Sequence, residues 1–241
     1  MEYQLLFTTG YFSLGADYSI RLSSLLRLFQ EAAILHAEKN GFGDKAMARQ
    51  GLGWILYRLE LEVYRYPGYR EELKVVTRLG GRRGFKAFRH FDIFCGEERL
   101  VSALSAWFAL DLKNRKPIHF KGDLAGQLFP QGMVLPEAPT EGWKPKKSFS
   151  SQWEVRLTTR LADIDTNSHV NNAIYADYLE TALARRSGTY PRIKTYKIQF
   201  NHEIPMTADE IVVALASEGG GWLYQISAGE MIAASGEVSL L

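Results

Sequence analysis

The chain has 241 residues, 46% of them apolar and 12% aromatic, enough for one large domain or two small ones sharing a core and too apolar for disorder. A formal net charge of +2 points away from a nucleic-acid binder, and a single cysteine, Cys95, excludes an intrachain disulfide framework. No apolar run reaches the ~20 residues needed to span a bilayer, and "MEYQLLFTTGYFSLG" lacks the basic start and apolar core of a signal peptide, so a cytoplasmic protein is expected.

In chain order, "YQLLFTT" reads as a short strand, followed by a Gly-containing loop and a helix over "LSSLLRLFQEAAILHAEKNG". Ser23 or Ser24 is the expected N-cap and Asn40-Gly41 the stop. Apolar residues from Leu22 to Leu35 cover much of the circumference, so other structure must wrap this helix. "ILYRLELEV" then alternates, placing Ile55, Tyr57, Leu59, Leu61 and Val63 on one face and Arg58, Glu60 and Glu62 on the other. "ELKVVTRL", "FKAFRHFDIF" and "LVSALSAWFALD" follow as strands, punctuated by "GGRRG" and "CGEE". Cys95, near a strand end, reads as a structural thiol.

Residues 121–150 are rich in Pro, Gly and charge and read as a surface linker between units at 1–120 and 151–241. The second unit repeats the order of the first. "WEVRLTT" leads through a polar loop to a helix over "NNAIYADYLETALARRSG", ended by Gly188. "KTYKIQFNHEI", "EIVVALA", "WLYQISA" and "MIAASGEVSL" complete it as strands. Glu31 and Glu180 sit at similar places in the two helices. The fold class is therefore α+β: two tandem units, each a long central helix wrapped by a curled antiparallel sheet, joined as one continuous sheet or edge to edge.

Only the second unit carries the polar run "DIDTNSHVNN", Asp163 to Asn172, while the matching place in the first keeps Asp17 but no His and no Asn. That asymmetry suggests a site where the units meet, and loop divergence without function would look the same. Asp165, Asn167 and His169 alternate with Ile164, Thr166 and Ser168, so an extended segment would point all three one way. The helix that follows offers free backbone N–H groups to a developing negative charge. A run of Asx turns and caps would need the same residue types, so the spacing alone leaves both readings open. No G-x-S-x-G elbow, P-loop or complete dinucleotide fingerprint occurs, and the five histidines show no metal-ligand spacing. Basic runs at Arg82–His90, Lys113–Pro117 and Lys144–Lys147 fit solvated faces or an acidic partner.

The stretch "RLADIDTNSHVNNAIYADYLE" resembles the signature of the acyl-acyl carrier protein thioesterases, a D-x-D-x-N-x-H-V-N-N-x-x-Y run with every position filled. "IRLSSLLRLFQEAAILHAEKNGFG", "GWILYRLELEVYRYPGYREELKVVT" and "SALSAWFALDLKNRKP" extend the resemblance over almost the whole chain. It implies two hotdog units and hydrolysis of fatty acyl thioesters on acyl carrier protein, with no cofactor and no metal. It further implies a catalytic set of Asp165, Asn167, His169 and Glu203. Family members often carry Cys after that Glu; here Ile204 stands there, so attack by water is expected. Strand alternation through "YKIQFNHEI" would instead place Glu203 on a polar surface, unless a bulge or strand end re-aims it.

On this reading Glu203 or His169 is the general base, Asn167 positions the water or carbonyl, and Asp165 supports both. The N–H groups of Val170 and Asn171 stabilise the oxyanion. Asn171 and Asn172 also serve as helix-start hydrogen-bonders, Tyr175 as core, and His36 and His202 as structural residues. Trp54, Tyr57 and Phe91 are the expected walls of the acyl channel. A coenzyme A thioesterase and a non-catalytic acyl-thioester binding module are the rivals, and a homodimer through exposed sheet edges is compatible with the arrangement.

Overall fold

The computed structural model describes residues 2–119 and 143–241; of the expected linker, residues 121–142 lie outside the described residues. The first unit contains β1 (Glu2–Thr8), α1 (Leu22–Lys39), α2 (Asp44–Arg49), β2 (Leu52–Val63), β3 (Glu72–Arg83), β4 (Lys86–Cys95), β5 (Glu98–Asp111) and a short β6 (Lys116–Pro117). The second contains β7 (Trp153–Thr158), α3 (Ile174–Ser187), β8 (Ile193–Phe200), β9 (Glu210–Glu218), β10 (Gly221–Ala228) and β11 (Met231–Leu240). The strands form one antiparallel sheet in the order β1-β3-β4-β5-β2-β8-β11-β10-β9-β7, with β6 paired to β5. Of the two expected ways of joining the units, the continuous sheet is the one observed.

Helix α1 forms where apolar residues recur with helical spacing, and it buries Leu22, Leu25, Leu26, Leu28, Phe29, Ala32 and Ala33. Each such leucine removes roughly 1.5–3 kcal/mol worth of side chain from water. The helix is enclosed by β1, β3 and α3, and the cores of the two units merge into one cluster. Its N-cap is Arg21 rather than Ser23 or Ser24. Ser23 is buried, and the Ser24 hydroxyl donates to the Ser13 carbonyl, so tertiary contacts use both hydroxyls' positions. The stop is as read: Asn40 closes the last turn and Gly41 adopts a φ of 81°.

Helix α3 starts at Ile174, later than the Asn171 start expected, because Asn171 builds a turn first. Its carbonyl accepts from the Ile174 N–H and its side chain from the Ala173 N–H. Gly188 ends the helix with a φ of 71°. "GGRRG" does not interrupt the sheet: β3 runs through it on a bulge, and the chain turns at Gly84. The seam between units is the β2–β8 pairing from Arg58↔Gln199 to Glu62↔Thr195. Arg58 locks it, donating to the Gln199 side chain and the Trp143 carbonyl at 2.7 Å each.

A second bulge corrects one expectation. β2 pairs Leu56 with Trp107 and then Arg58 with Ala106, leaving Tyr57 unpaired. The extra residue moves the inward face from the even positions before it to Leu59, Leu61 and Val63 after it. Tyr57 therefore points away from the side expected to form an acyl channel. Its ring meets Phe108 and the cations of Arg58 and Lys86 instead.

Candidate active site

A loop anchored on Asp163 presents the polar run. Asp163 is fully buried, and its carboxylate accepts hydrogen bonds from the Arg160 backbone and guanidinium and from the Tyr178 hydroxyl. Burial, and then this bond to the carboxylate, raise the Tyr178 pKa. From that anchor the chain makes a tight loop rather than an extended segment. The Asp165 N–H donates to the His169 carbonyl, the Ser168 N–H to the Asp165 carbonyl, and the Asn167 N–H to Asp165 Oδ1. Ser168 takes a left-handed φ of 64° to close it. The three residues still share one destination, since Asp165, Asn167 and His169 all line the mouth of the same cavity.

Glu203 reaches that mouth because β8 stops at Phe200. Beyond the stop, the Val170 N–H donates to the Ile204 carbonyl and the Met206 N–H to the Ser168 carbonyl. This short zipper sets Glu203 Oε2 3.4 Å from His169 Nε2 and 3.7 Å from the Arg115 guanidinium. The strand end, not the strand alternation, decides where Glu203 goes. Arg115 comes from the first unit and was readable only as part of a basic run.

The oxyanion assignment needs correction. The Val170 N–H is taken by Ile204 and the Asn171 N–H by the Asp163 carbonyl at 2.8 Å, so neither is free for a ligand. Among the described residues, no acceptor takes the N–H of Asn172, which borders the cavity just before α3. It is the donor that helix-start reasoning should have selected.

Behind the mouth lies a cavity of about 390 Å³ walled mainly by the first unit. Trp54 and Phe91 line it, with Phe29 stacked on Phe91 at a centroid distance of 4.7 Å; Tyr57 does not. His202 also borders the mouth, while Tyr175 is buried core beneath it. Among the described residues, no group of three or more His, Cys, Asp and Glu side chains is arranged to hold a metal ion.

The first unit carries the same loop frame with different side chains. Gly15 N–H to Ser19 carbonyl, Tyr18 N–H to Gly15 carbonyl, Ile20 N–H to Pro67 carbonyl and Arg21 N–H to Ser13 carbonyl reproduce the four backbone bonds around Asp165 and His169. Tyr18 repeats the left-handed turn at a φ of 61°. Gly15, Asp17, Ser19 and Tyr66 thus stand where the second unit has Asp165, Asn167, His169 and Glu203. The register equates Glu180 with Gln30, not with Glu31, which is exposed. Tyr190 fills this second place so closely that a Cβ on Gly15 would lie 2.5 Å from its hydroxyl.

The model of the N-terminal domain of acyl-ACP thioesterases matches residues 1–128, and that of the C-terminal domain matches residues 145–236. A dodecanoyl-[acyl-carrier-protein] hydrolase of Cinnamomum camphora is 25% identical over 224 residues, covering 87% of this chain and 58% of that protein. An oleoyl-acyl carrier protein thioesterase of Coriandrum sativum is 23% identical, covering 90% of this chain and 63% of that protein. The chain therefore spans less than two thirds of the length of these relatives. In three dimensions it superposes on an acyl-ACP thioesterase from Bacteroides thetaiotaomicron with a TM-score of 0.84 at 20% identity, covering 100% of this chain and 98% of that one. It superposes on the 12:0-ACP thioesterase from Umbellularia californica with a TM-score of 0.86 at 19% identity, covering 100% and 97%. At these identities the superpositions establish the double hotdog fold.

Proposed function

The chain belongs to the acyl-ACP thioesterase family, and from that premise we propose that it hydrolyses fatty acyl thioesters carried on acyl carrier protein. One observation carries the reading: Glu203 and His169 meet at 3.4 Å at the polar mouth of a cavity lined mostly by apolar side chains. An acyl chain fills the depth, and its thioester carbonyl stops at the mouth. Glu203, backed by His169, takes a proton from a water whose oxygen attacks the carbonyl carbon. Asn167 orients that water. Asp165, by holding the Asn167 N–H, fixes the loop that aims it. The Asn172 N–H and the start of α3 face the oxyanion as the C–O bond loses its double character. Collapse of the tetrahedral intermediate breaks the C–S bond and releases the carrier's thiolate, which is stable enough to need no strong acid. Ile204, fully buried after Glu203, supplies no nucleophile, so the route through water is the one these residues support.

Arg115 adds positive charge at the rim, which suits an acidic carrier protein. The test is thiol release from acyl carrier protein and coenzyme A thioesters of graded chain length, for wild type, Asn167→Ala and Glu203→Gln. Fast hydrolysis of the carrier series, with each variant slowed by roughly a hundredfold or more, is expected. Hydrolysis of coenzyme A thioesters alone would replace the carrier, and wild-type rates in Glu203→Gln would remove it from the chemistry.

A further inference from the structure

The cavity wall contains a charge that the hydrolysis does not use. Ile198 in β8, Leu59 in β2, Ser105 in β5, Arg89 in β4 and Leu79 in β3 are successive cross-strand partners, and all of them line the cavity. They form one transverse row leading away from the catalytic mouth. Arg89 lies three strands from β8 along that row, about 14 Å at the usual strand spacing. It is therefore a residue of the far end of the channel.

Arg89 is half-buried there, its charge unbalanced by any carboxylate among the described residues. Its Nη1 donates to His36 Nδ1 at 2.8 Å and to the Thr77 hydroxyl at 3.2 Å. The donors on Nη2 and Nε meet no acceptor, and no carboxylate pairs with Arg89, among the described residues. His36 does not supply negative charge. Burial, and next the Arg89 cation, lower its pKa to about 4, so it stands as a neutral ring whose lone pair points at the guanidinium. Burial lowers the Arg89 pKa itself to about 10, still leaving it charged near neutrality. A plain hydrocarbon tail at this point would strip water from a cation and return no hydrogen bond, which is among the costlier contacts a protein interior can make.

We propose that Arg89 recognises an acceptor oxygen on the far part of the acyl chain, so that the preferred substrates are oxygenated fatty acyl thioesters. His36 and Thr77 hold the guanidinium in place and Ser105 keeps the adjoining wall polar; the Ser105 hydroxyl accepts from Trp107 Nε1 at 2.7 Å. The inference rests on the thioesterase reading for the chemistry but on the cavity alone for the recognition.

The test compares octanoyl, decanoyl and dodecanoyl thioesters of acyl carrier protein with the same chains bearing a terminal hydroxyl or a terminal carboxylate. Wild type, Arg89→Met and Arg89→Lys are assayed together. At the length that reaches Arg89, wild type should favour an oxygenated chain by roughly ten- to a hundredfold in kcat/KM, the range of a hydrogen bond to a charged group. Arg89→Met should lose that ratio and gain on the plain chain, while Arg89→Lys should keep part of it. A plain chain hydrolysed as well as its oxygenated counterparts at every length by wild type would overturn the proposal, whether or not the variants fold. So would an equal loss on all substrates in Arg89→Met. Should no thioester be hydrolysed, quenching of Trp54 and Trp107 by dodecanoate and dodecanedioate reads the cavity directly. A preference for the dicarboxylate upholds the recognition while the hydrolase reading falls, and equal affinities refute it.

Discussion

Replacing Tyr178 by Phe removes one oxygen and tests the anchor of the polar loop at the candidate site. The hydroxyl is buried and donates to Asp163 Oδ2 at 2.9 Å. Asp163 retains the Arg160 N–H at 2.9 Å and the guanidinium contacts at 2.8 and 3.1 Å, so the carboxylate is weakened but not stripped. The loss should be that of one hydrogen bond to a charged group, about 1.5–3 kcal/mol. It should stay below the roughly 3–5 kcal/mol of an abandoned buried charge. For a chain of this size that is a fall in Tm of about 3–12 °C. Urea unfolding followed by circular dichroism should show a lower midpoint at an unchanged m-value. Asp163→Asn should cost more, because an amide N–H₂ would face the Arg160 donors, and the double variant should be coupled by about 1 kcal/mol or more. A Tyr178→Phe loss below about 0.5 kcal/mol, or an Asp163→Asn loss smaller than that of Tyr178→Phe, would refute the anchoring argument.

Glu180 supplies a pH signature: burial, then the neighbouring Asp177, push its pKa up from 4.5 to about 8. The folded state holds this proton where the unfolded chain has lost it, so wild-type stability should fall as pH rises from about 5 to about 8 and level off above, with a slope of at most about 1.4 kcal/mol per pH unit. Glu180→Gln should flatten that slope in pH-dependent denaturation, and an unchanged slope would assign it to other groups. Phe91→Leu should lengthen the acyl channel at a stability cost of about 1–3 kcal/mol, shifting the released acids towards longer chains by gas chromatography. Tyr57→Leu, outside the channel, should leave that product profile as it is; a shift of comparable size would mean that Tyr57 enters the channel after all.

The repeat, the two helices and the antiparallel strands were legible because each rests on local periodicity. Leu22 to Ala33 repeat as a helix does, and Ile211, Val213 and Leu215 alternate as a half-buried strand does. What alternation misses is a change of count. One unpaired residue in β2 turned Tyr57 outward, and one strand end at Phe200 brought the exposed Glu203 to the cavity mouth. The Asp165/Asn167/His169 cluster was visible as composition, but the loop that gathers it is closed by bonds to Ile204 and from Met206, far along the chain. The same distant partner occupies the Val170 N–H that local helix logic offered to the substrate. Arg89 gave no signal inside "RRGFKAFRH", since its place in the cavity wall depends on strand neighbours that the sequence does not mark.

The loop frame that recurs around Gly15 and Ser19 tolerates two nearly unrelated sets of side chains on one backbone path. It behaves as a socket: the backbone bonds hold its shape, and the residues plugged into it decide what it does. Substitutions at Asn167 or His169 can therefore be read as changes in chemistry with little confounding loss of fold. The same independence lets one copy keep a polar mouth while Tyr190 fills the other, so that among the described residues the two halves of a twofold-like scaffold differ in what they leave open.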